Sequence, residues 1–158
     1  MRITTWTEYS LIISIHLAKR GRGAVAPVAA RELAEVERLP ADYVEQILLR
    51  LRRAGIVESV RGARGGYFLA QDPAAITVAR IMAASEHQTF EMNCDSHPVD
   101  AERCSPGSSC TIRPVWQALQ RRIDDFLGSV TLADLLKDEP AASSEFVILT
   151  SSSGPALS

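Results

Sequence analysis

The switch from helical to strand periodicity after Gly55 limits the fold of this chain more than any other feature. Upstream, apolar residues recur at helical spacing in three successive segments. The third begins at Leu39 and Pro40, and we expect Gly55 to stop it in a left-handed conformation. Downstream, the β-branched run Ile56–Val60 and the returning run Tyr67–Ala70 flank a turn with three glycines, as in a β-hairpin. Three helices followed by a two-stranded wing are the element order of a winged helix-turn-helix. We therefore predict a mainly α-helical fold of that type.

The same patterns organise the rest of the chain. Helices are expected at Thr7–Arg20, Val28–Glu35, Thr77–Glu86, from Pro114 to Leu127, and at Leu132–Leu136. We expect four regions: residues 1–86 for the winged helix-turn-helix domain, 87–112 for a cysteine-containing loop, 113–136 for the long and short helices, and 137–158 for a flexible tail rich in Ser, Pro and Ala.

The composition is that of an ordinary globular protein and argues against several classes. Of 158 residues, 46% are hydrophobic and 23% are charged, and no run approaches the roughly 20 apolar residues that cross a bilayer. The start, Met1–Thr4, lacks the apolar run of a signal peptide, so we expect a cytoplasmic protein. The sequence has no nucleotide-binding fingerprint, close cysteine pair or convergent acid–base set, which argues against an enzyme.

Positive charge is concentrated around the third helix and the hairpin. The whole chain carries a net charge of −2, but five arginines and one acid lie between Leu48 and Gly66, a local balance of +4. Cationic side chains bind duplex DNA by displacing counterions from its phosphates. The glycine-rich tip around Arg61, Arg64, Gly65 and Gly66 allows the backbone to approach a phosphate closely. This patch predicts double-stranded DNA as a partner; the alternative is a solvated amphipathic helix followed by an ordinary hairpin.

The outer face of the third helix carries side chains that can read bases. In a winged helix-turn-helix this helix lies in the major groove, and the wing lies beside a phosphate or a minor groove. Gln can bond to adenine and Glu can accept a bond from cytosine, while arginines position the protein on the duplex. The candidate DNA-binding residues of this helix are Asp42, Tyr43, Glu45, Gln46 and Arg50.

All three cysteines, Cys94, Cys104 and Cys110, lie in one polar stretch. Cysteines that fill a core are scattered over apolar faces, whereas cysteines gathered on one loop suggest a shared soft metal or an iron–sulfur cluster. Two alternatives stay open: structural zinc, which usually uses closely paired cysteines, and a thiol switch that forms a disulfide. Three thiolates also leave one position of four to another ligand.

Three stretches of the sequence are distinctive. Residues 43–48 read Tyr-Val-Glu-Gln-Ile-Leu, residues 51–67 read Leu-Arg-Arg-Ala-Gly-Ile-Val-Glu-Ser-Val-Arg-Gly-Ala-Arg-Gly-Gly-Tyr, and the chain starts with Met-Arg-Ile-Thr-Thr-Trp-Thr-Glu-Tyr. Together they resemble the IscR/NsrR family of bacterial transcription regulators, and the start is closest to the nitric-oxide-sensing NsrR branch. The resemblance covers about Met1 to Leu136. It implies a homodimer held by a long dimerisation helix (here Pro114–Leu127) and an iron–sulfur cluster, 2Fe–2S or 4Fe–4S, that controls operator affinity.

The resemblance also implies roles for individual residues. It makes Glu45 and Gln46 base readers and Arg61 the wing residue that enters a groove. It makes the three cysteines cluster ligands, although Cys94 and Cys104 are further apart than in the commonest family pattern.

The fourth ligand is where this sequence departs from its relatives. IscR-type members have a histidine three residues after the last cysteine, where this chain has Arg113. NsrR-type members use an aspartate of the first helix that reaches across from the other subunit, and Glu8 occupies that position. The resemblance thus makes Glu8 the expected fourth ligand, with His87, His97 or an outside ligand such as water as alternatives.

The sequence leaves the signal open between nitric oxide, redox state and the supply of iron or clusters. A different class of function is an interaction protein, in which a cluster-free, thiol-based or zinc-containing regulator acts through a metabolic enzyme partner. A colourless, iron-free protein would favour that class.

Overall fold

The computed structural model describes residues 3–21, 26–85, 100, 102, 104–105 and 110–137. Its elements follow the expected order of three helices, a hairpin and further helices, so the mainly α-helical winged fold is confirmed. The elements are α1 (Thr5–Lys19), α2 (Ala30–Glu37), α3 (Ala41–Arg53), β1 (Val57–Val60), β2 (Gly66–Leu69), a 3-10 turn (Pro73–Ala75), α4 (Val78–Ser85), α5 (Arg113–Ser129) and α6 (Leu132–Leu135). Cys94, His87, His97 and the tail after Lys137 lie outside the described residues.

Helix α3 is held by one buried face. Four apolar side chains at helical spacing are 0% exposed in the main core, and the helix packs against α1, α2 and α4. These side chains are Val44, Ile47, Leu48 and Leu51. The helix ends before Gly55, which has a left-handed conformation (φ +67°), and the Ile56 amide donates to the Leu51 carbonyl at 2.9 Å. The expected glycine stop is confirmed, and it leads the chain directly into the wing.

The wing is an antiparallel hairpin attached to the body by a third, shorter pairing. Strands β1 and β2 pair from Val57 opposite Leu69 to Val60 opposite Gly66. Val28 forms a bridge with Tyr67 through hydrogen bonds of 2.9 and 2.8 Å. Because Val28 pairs with the wing, α2 begins at Ala30, two residues later than the sequence pattern predicted.

Helices α4 and α6 both pack on α1. Thr77 bridges Thr131, the Val78 amide donates to the Val130 carbonyl at 2.8 Å, and the Leu132 amide donates to the Ile76 carbonyl at 2.9 Å. Leu132 is fully buried in the same core as α3. The short helix α6 is therefore packed into the body around α1, although it follows the long helix α5 in sequence.

A capping box fixes the start of α6. The Thr131 side chain accepts a bond from the Asp134 amide, and the Asp134 carboxylate accepts bonds from the Thr131 hydroxyl (2.6 Å) and amide (3.0 Å). These bonds, with a further one from Lys137 at 3.0 Å, lower the pKa of Asp134 from 3.8 to about 2.

Helix α5 presents much of its apolar stripe to solvent. Trp116 is 43% exposed and Leu119 is 39% exposed. The C-terminal part of α5 packs against α4. An apolar cavity of about 460 Å³ lies there, between Leu11 of α1, Met82 of α4 and Phe126 of α5. Within the described ranges, no helix is both long enough and apolar enough to cross a membrane.

Candidate nucleic-acid interface and cysteine loop

The side of α3 opposite its buried face is polar and open. Asp42, Glu45 and Gln46 are exposed, while Val44 and Ile47 beside them are buried. This alternation is the 3.6-residue period of an amphipathic helix, and it directs the carboxylates and the amide away from the core. The predicted base-reading residues thus share one accessible face of α3.

Tyr43 and Arg50 lie on the flank of α3, where the helix meets α1. The Tyr43 ring is 39% exposed, and its centroid lies 4.9 Å from that of Trp6 and 5.9 Å from that of Tyr9. The Arg50 guanidinium lies over the Trp6 ring, with Cζ 4.2 Å from the ring centroid. Arg50 is half-buried and also donates through Nη1 to the carbonyl of Ser85. Its guanidinium is therefore engaged by the protein itself.

The wing tip carries two exposed cations of the predicted interface. Arg61 and Arg64 are exposed on the turn between β1 and β2, where Gly62 has a φ of +118°. The Gly65 amide donates to the Gly62 carbonyl at 2.9 Å and closes the turn. A Cβ on Gly65 would lie 2.3 Å from the Val60 carbonyl oxygen, so only glycine fits this tight tip.

Gly66 has a different steric reason to be glycine. A Cβ there would lie 2.5 Å from the Val28 carbonyl oxygen and 3.0 Å from the Ala29 nitrogen, both of them backbone atoms. From the sequence we predicted that Gly66 lies at the DNA interface. Its packing against residues 28–29 is a second reason why this position requires glycine, and the sequence did not reveal it.

The described part of the cysteine loop contains Cys104 and Cys110, both half-buried thiols. The Cys104 amide donates to the Asp100 carbonyl at 2.9 Å. Arg113, in the first turn of α5, donates through Nη2 to the Cys104 carbonyl, and its Nε is buried with no partner among the described residues. Arg113 thus holds the backbone of the loop at Cys104.

Glu8 is exposed on the first turn of α1. Within the described ranges, no three His, Cys, Asp or Glu side chains come together in a way that could hold a metal ion. The third cysteine, Cys94, and the two loop histidines fall outside those ranges.

The sequence did not single out the polar contacts between α1 and α4. The Thr7 hydroxyl and the Ser85 hydroxyl are 3.3 Å apart, and both residues are buried. Nor did it reveal that Trp6 of α1 contacts both Tyr43 and Arg50, although their seven-residue spacing places the two on one side of α3.

Comparisons with known proteins agree with this architecture. A family model described as Rrf2, iron-dependent transcriptional regulator, matches residues 3–138. The HTH-type transcriptional regulator IscR of Xenorhabdus nematophila is 32% identical over 139 residues, which make up 88% of this chain and 81% of that protein.

Two solved structures are similar over most of both chains. T. potens IscR is 34% identical with a TM-score of 0.65, covering 87% of this chain and 88% of that one. CymR, the global cysteine regulator of B. subtilis, is 32% identical with a TM-score of 0.68, covering 86% and 96%. The relatives are transcriptional regulators and not enzymes, and the expected likeness to IscR is confirmed. This chain belongs to the Rrf2 family of transcriptional regulators.

Proposed function

We propose that this regulator binds an operator as a homodimer and that its affinity is set by an iron–sulfur cluster on the cysteine loop. The observation that carries the proposal is the pairing of an exposed polar face on α3 with an exposed arginine tip on the wing. Two half-buried thiols, Cys104 and Cys110, precede α5 in the chain and are the proposed ligands of the sensing group.

The proposed DNA contacts are of two kinds, to base edges and to the DNA backbone or minor groove. Asp42, Tyr43, Glu45 and Gln46 would face base edges in the major groove, where Gln and Glu discriminate adenine and cytosine. Arg61 and Arg64, with the backbone of Gly65 and Gly66, would hold the wing against a phosphate or a minor groove.

Dimerisation would cover the exposed stripe of α5. Val115, Trp116 and Leu119 are 39–59% exposed on successive turns, and a contiguous apolar face of this kind marks a protein interface. Two-fold symmetry then places two α3 helices on successive half-sites, about one turn of DNA apart.

The donor set fits a soft metal group. Cys94, Cys104 and Cys110, with Glu8 of the partner subunit, would hold the cluster, which supplies a redox-active centre when bound. Cys110 lies three residues before the first residue of α5, where the helix dipole favours anionic groups. The carboxylate of Glu8 is a hard donor and so a comparatively labile ligand on iron, which an incoming small molecule such as nitric oxide can displace.

Regulation follows from the link between the loop and the first helix. While Glu8 and the cysteines share one site, the loop of one subunit and α1 of the other are held together, and the separation of the two α3 helices is fixed. Release of Glu8 frees α1 and changes that separation. A coupling of about 1–3 kcal/mol changes operator affinity by roughly 5- to 150-fold.

A second candidate is a cluster-free regulator that uses its cysteines as thiols or zinc ligands and acts through a metabolic enzyme partner. The similarity to CymR, named as a global cysteine regulator, favours this candidate. The two candidates share the DNA interface and differ in what occupies the cysteine loop and in the enzyme partner that the second one requires.

The DNA interface is tested by the salt dependence of binding. A duplex is first selected by the wild-type protein from a randomised pool, and affinity is then measured by fluorescence anisotropy at several salt concentrations. Arg61→Ala should weaken binding to every duplex. It should reduce the slope of log K against log salt by about 0.9 per lost phosphate contact, hence about 1.8 per dimer.

Two controls sharpen this test. Lys19→Ala removes an equal charge at the exposed end of α1 and should leave the slope unchanged. Gln46→Ala should cost about 1–3 kcal/mol per subunit on the selected duplex with little change on unrelated DNA. Equal slopes for the wild type and Arg61→Ala would contradict the wing contact.

The cysteine loop is tested by the absorption spectrum of anaerobically purified protein, with iron and acid-labile sulfide counted per chain. Matching iron and sulfide would support the cluster, and Cys104→Ala should abolish both. A colourless protein that remains metal-free after reconstitution would favour the thiol regulator, while zinc without sulfide would favour the zinc form.

A further inference from the structure

The half-buried contacts of Arg50 join three helices at one point. Its guanidinium lies over Trp6 of α1 at 4.2 Å and donates to the carbonyl of Ser85, the last residue of α4. Ser85 is 1% exposed, and its hydroxyl lies 3.3 Å from the buried hydroxyl of Thr7, also on α1. We call the set Trp6, Thr7, Arg50 and Ser85 the polar junction.

The polar junction holds α3 on the flank of its apolar face. Tyr43 and Arg50 lie seven residues apart, and both contact the ring of Trp6, one through its own ring at 4.9 Å and the other through its guanidinium. Cation–π and aromatic contacts of this kind depend on orientation, unlike the nondirectional burial of Val44 or Leu48. The junction therefore constrains the rotation and tilt of α3 about its apolar seam.

The polar junction is close in sequence to both segments that carry the proposed sensing residues. Ser85 is the last residue of α4 and the cysteine loop follows it in the chain, while Trp6 and Thr7 share the first turn of α1 with Glu8. A displacement of either segment changes the position of a group bonded to Arg50, and Arg50 is part of α3.

We propose that Arg50 is a positioning residue, which transmits movements of the cysteine loop and of the first turn of α1 to the DNA-reading helix, and that it does not contact DNA. This inference rests on the proposed function for the identity of the sensing segments. The Ser85 carbonyl accepts from one N–H of the guanidinium and the Trp6 ring lies against its plane, so contacts within the protein fix the orientation of this group.

The salt dependence of DNA binding separates a positioning role from a phosphate contact. Arg50→Met keeps the length and apolar body of the side chain and removes the charge. We expect weaker binding with a salt slope equal to that of the wild type. A slope reduced by about 0.9 per subunit, as expected for Arg61→Ala, would overturn the proposal.

Transmission is measured by amide hydrogen exchange, because linkage is reciprocal: if the end of α4 affects α3, then DNA on α3 must affect α4. The sample is the metal-free, thiol-reduced full chain with and without the selected duplex, and the readout is the peptide that contains residues 78–85. In the wild type, we expect DNA to slow exchange there about 5-fold or more, the lower end of allosteric coupling. In Arg50→Met this difference should disappear.

Matched variants distinguish transmission from general loosening. Arg53→Met removes a charge from an exposed position in the same last turn of α3 and should preserve the DNA-induced slowing. A purely structural role for Arg50 would speed exchange equally with and without DNA, leaving the difference intact, and would overturn the proposal. The same holds if DNA produces no slowing in the wild type.

If Arg50→Met does not fold, Arg50→Lys provides the same test at constant charge. An ammonium lacks the planar fork that lies on the indole while an N–H reaches the Ser85 carbonyl, so most of the slowing should be lost. Full slowing in Arg50→Lys would contradict the two-point contact.

A colourless protein would count against the iron–sulfur cluster. It would leave these hydrogen-exchange results unaffected, because they are measured without metal.

Discussion

Replacing Gly66 by alanine tests the attachment of the wing to the body without using DNA. The added Cβ would lie 2.5 Å from the carbonyl oxygen and 2.6 Å from the carbonyl carbon of Val28, and 3.0 Å from the Ala29 nitrogen. All three are backbone atoms, so a rotamer change cannot relieve the overlap. The wing must move away from residues 28–29.

The size of the effect follows from the contacts that this movement disturbs. The two hydrogen bonds between Val28 and Tyr67 contribute about 0.5–1.5 kcal/mol each, and overpacking costs about 1–3 kcal/mol. Loss of glycine freedom in the unfolded chain offsets about 0.4–1 kcal/mol. We expect the free energy of unfolding to fall by about 2–3 kcal/mol, or roughly 5–10 °C in Tm for a chain of this size.

Urea denaturation followed by circular dichroism measures this change, with equal m values as the check that the two unfolded states are comparable. Gly128→Ala is the matched control, because a Cβ on this helical glycine meets nothing within 4 Å. It should raise stability by about 0.5–1 kcal/mol. A Gly66→Ala variant as stable as the wild type would refute the close approach of the wing to Val28.

Three other substitutions test separate features. Gly65→Ala should distort the wing tip through its 2.3 Å contact with the Val60 carbonyl oxygen, weakening DNA binding in anisotropy assays more than it lowers Tm. Asp134→Asn should lower stability at pH 7 by about 1 kcal/mol, discounted for partial exposure. Because the folded pKa of Asp134 is about 2, below the ordinary 3.8, its stabilisation is present above pH 3.8 and is lost as the pH falls toward 2. The gap between the wild type and Asp134→Asn in urea titrations should narrow over that range, and a constant gap would contradict the assignment. If α5 forms the proposed dimer interface, Leu119→Arg should be monomeric in sedimentation velocity, whereas the wild type and Gln117→Arg, on another face of α5, should be dimeric.

Local patterns in the sequence were sufficient to predict the buried face of α3 and the residue at which this helix stops. Val44, Ile47, Leu48 and Leu51 recur at helical spacing, and all four are buried. Gly55 was predicted to stop α3, and its positive φ confirms the prediction. Each of these features depends on a few neighbouring residues, so the pattern determines the structure.

Contacts between residues far apart in the chain could not be predicted from local patterns. The sequence predicted Arg50 as one of the cations on the outer face of α3, whereas the orientation of its side chain depends on Trp6 and Ser85, which are distant in sequence. Val28 was expected to start a helix because its pairing with Tyr67 has no local signal. The burial of Leu132 depends likewise on the return of the chain from α5 to α1.

The contacts of α3 indicate what kind of movement a signal can produce. Its four fully buried side chains each contribute about 1.5–3 kcal/mol, far more in total than an allosteric coupling of about 1–3 kcal/mol. A signal at the proposed sensing loop is therefore too weak to undock α3 from the core. The polar junction at Arg50 lies on the flank, where a rearrangement of similar energy can change the tilt of the helix while the apolar seam stays closed. In the proposed homodimer, regulation should then appear as a change in the spacing of the two α3 helices with core amides fully protected, because a small tilt displaces the exposed face of α3 while its four buried side chains stay in the core.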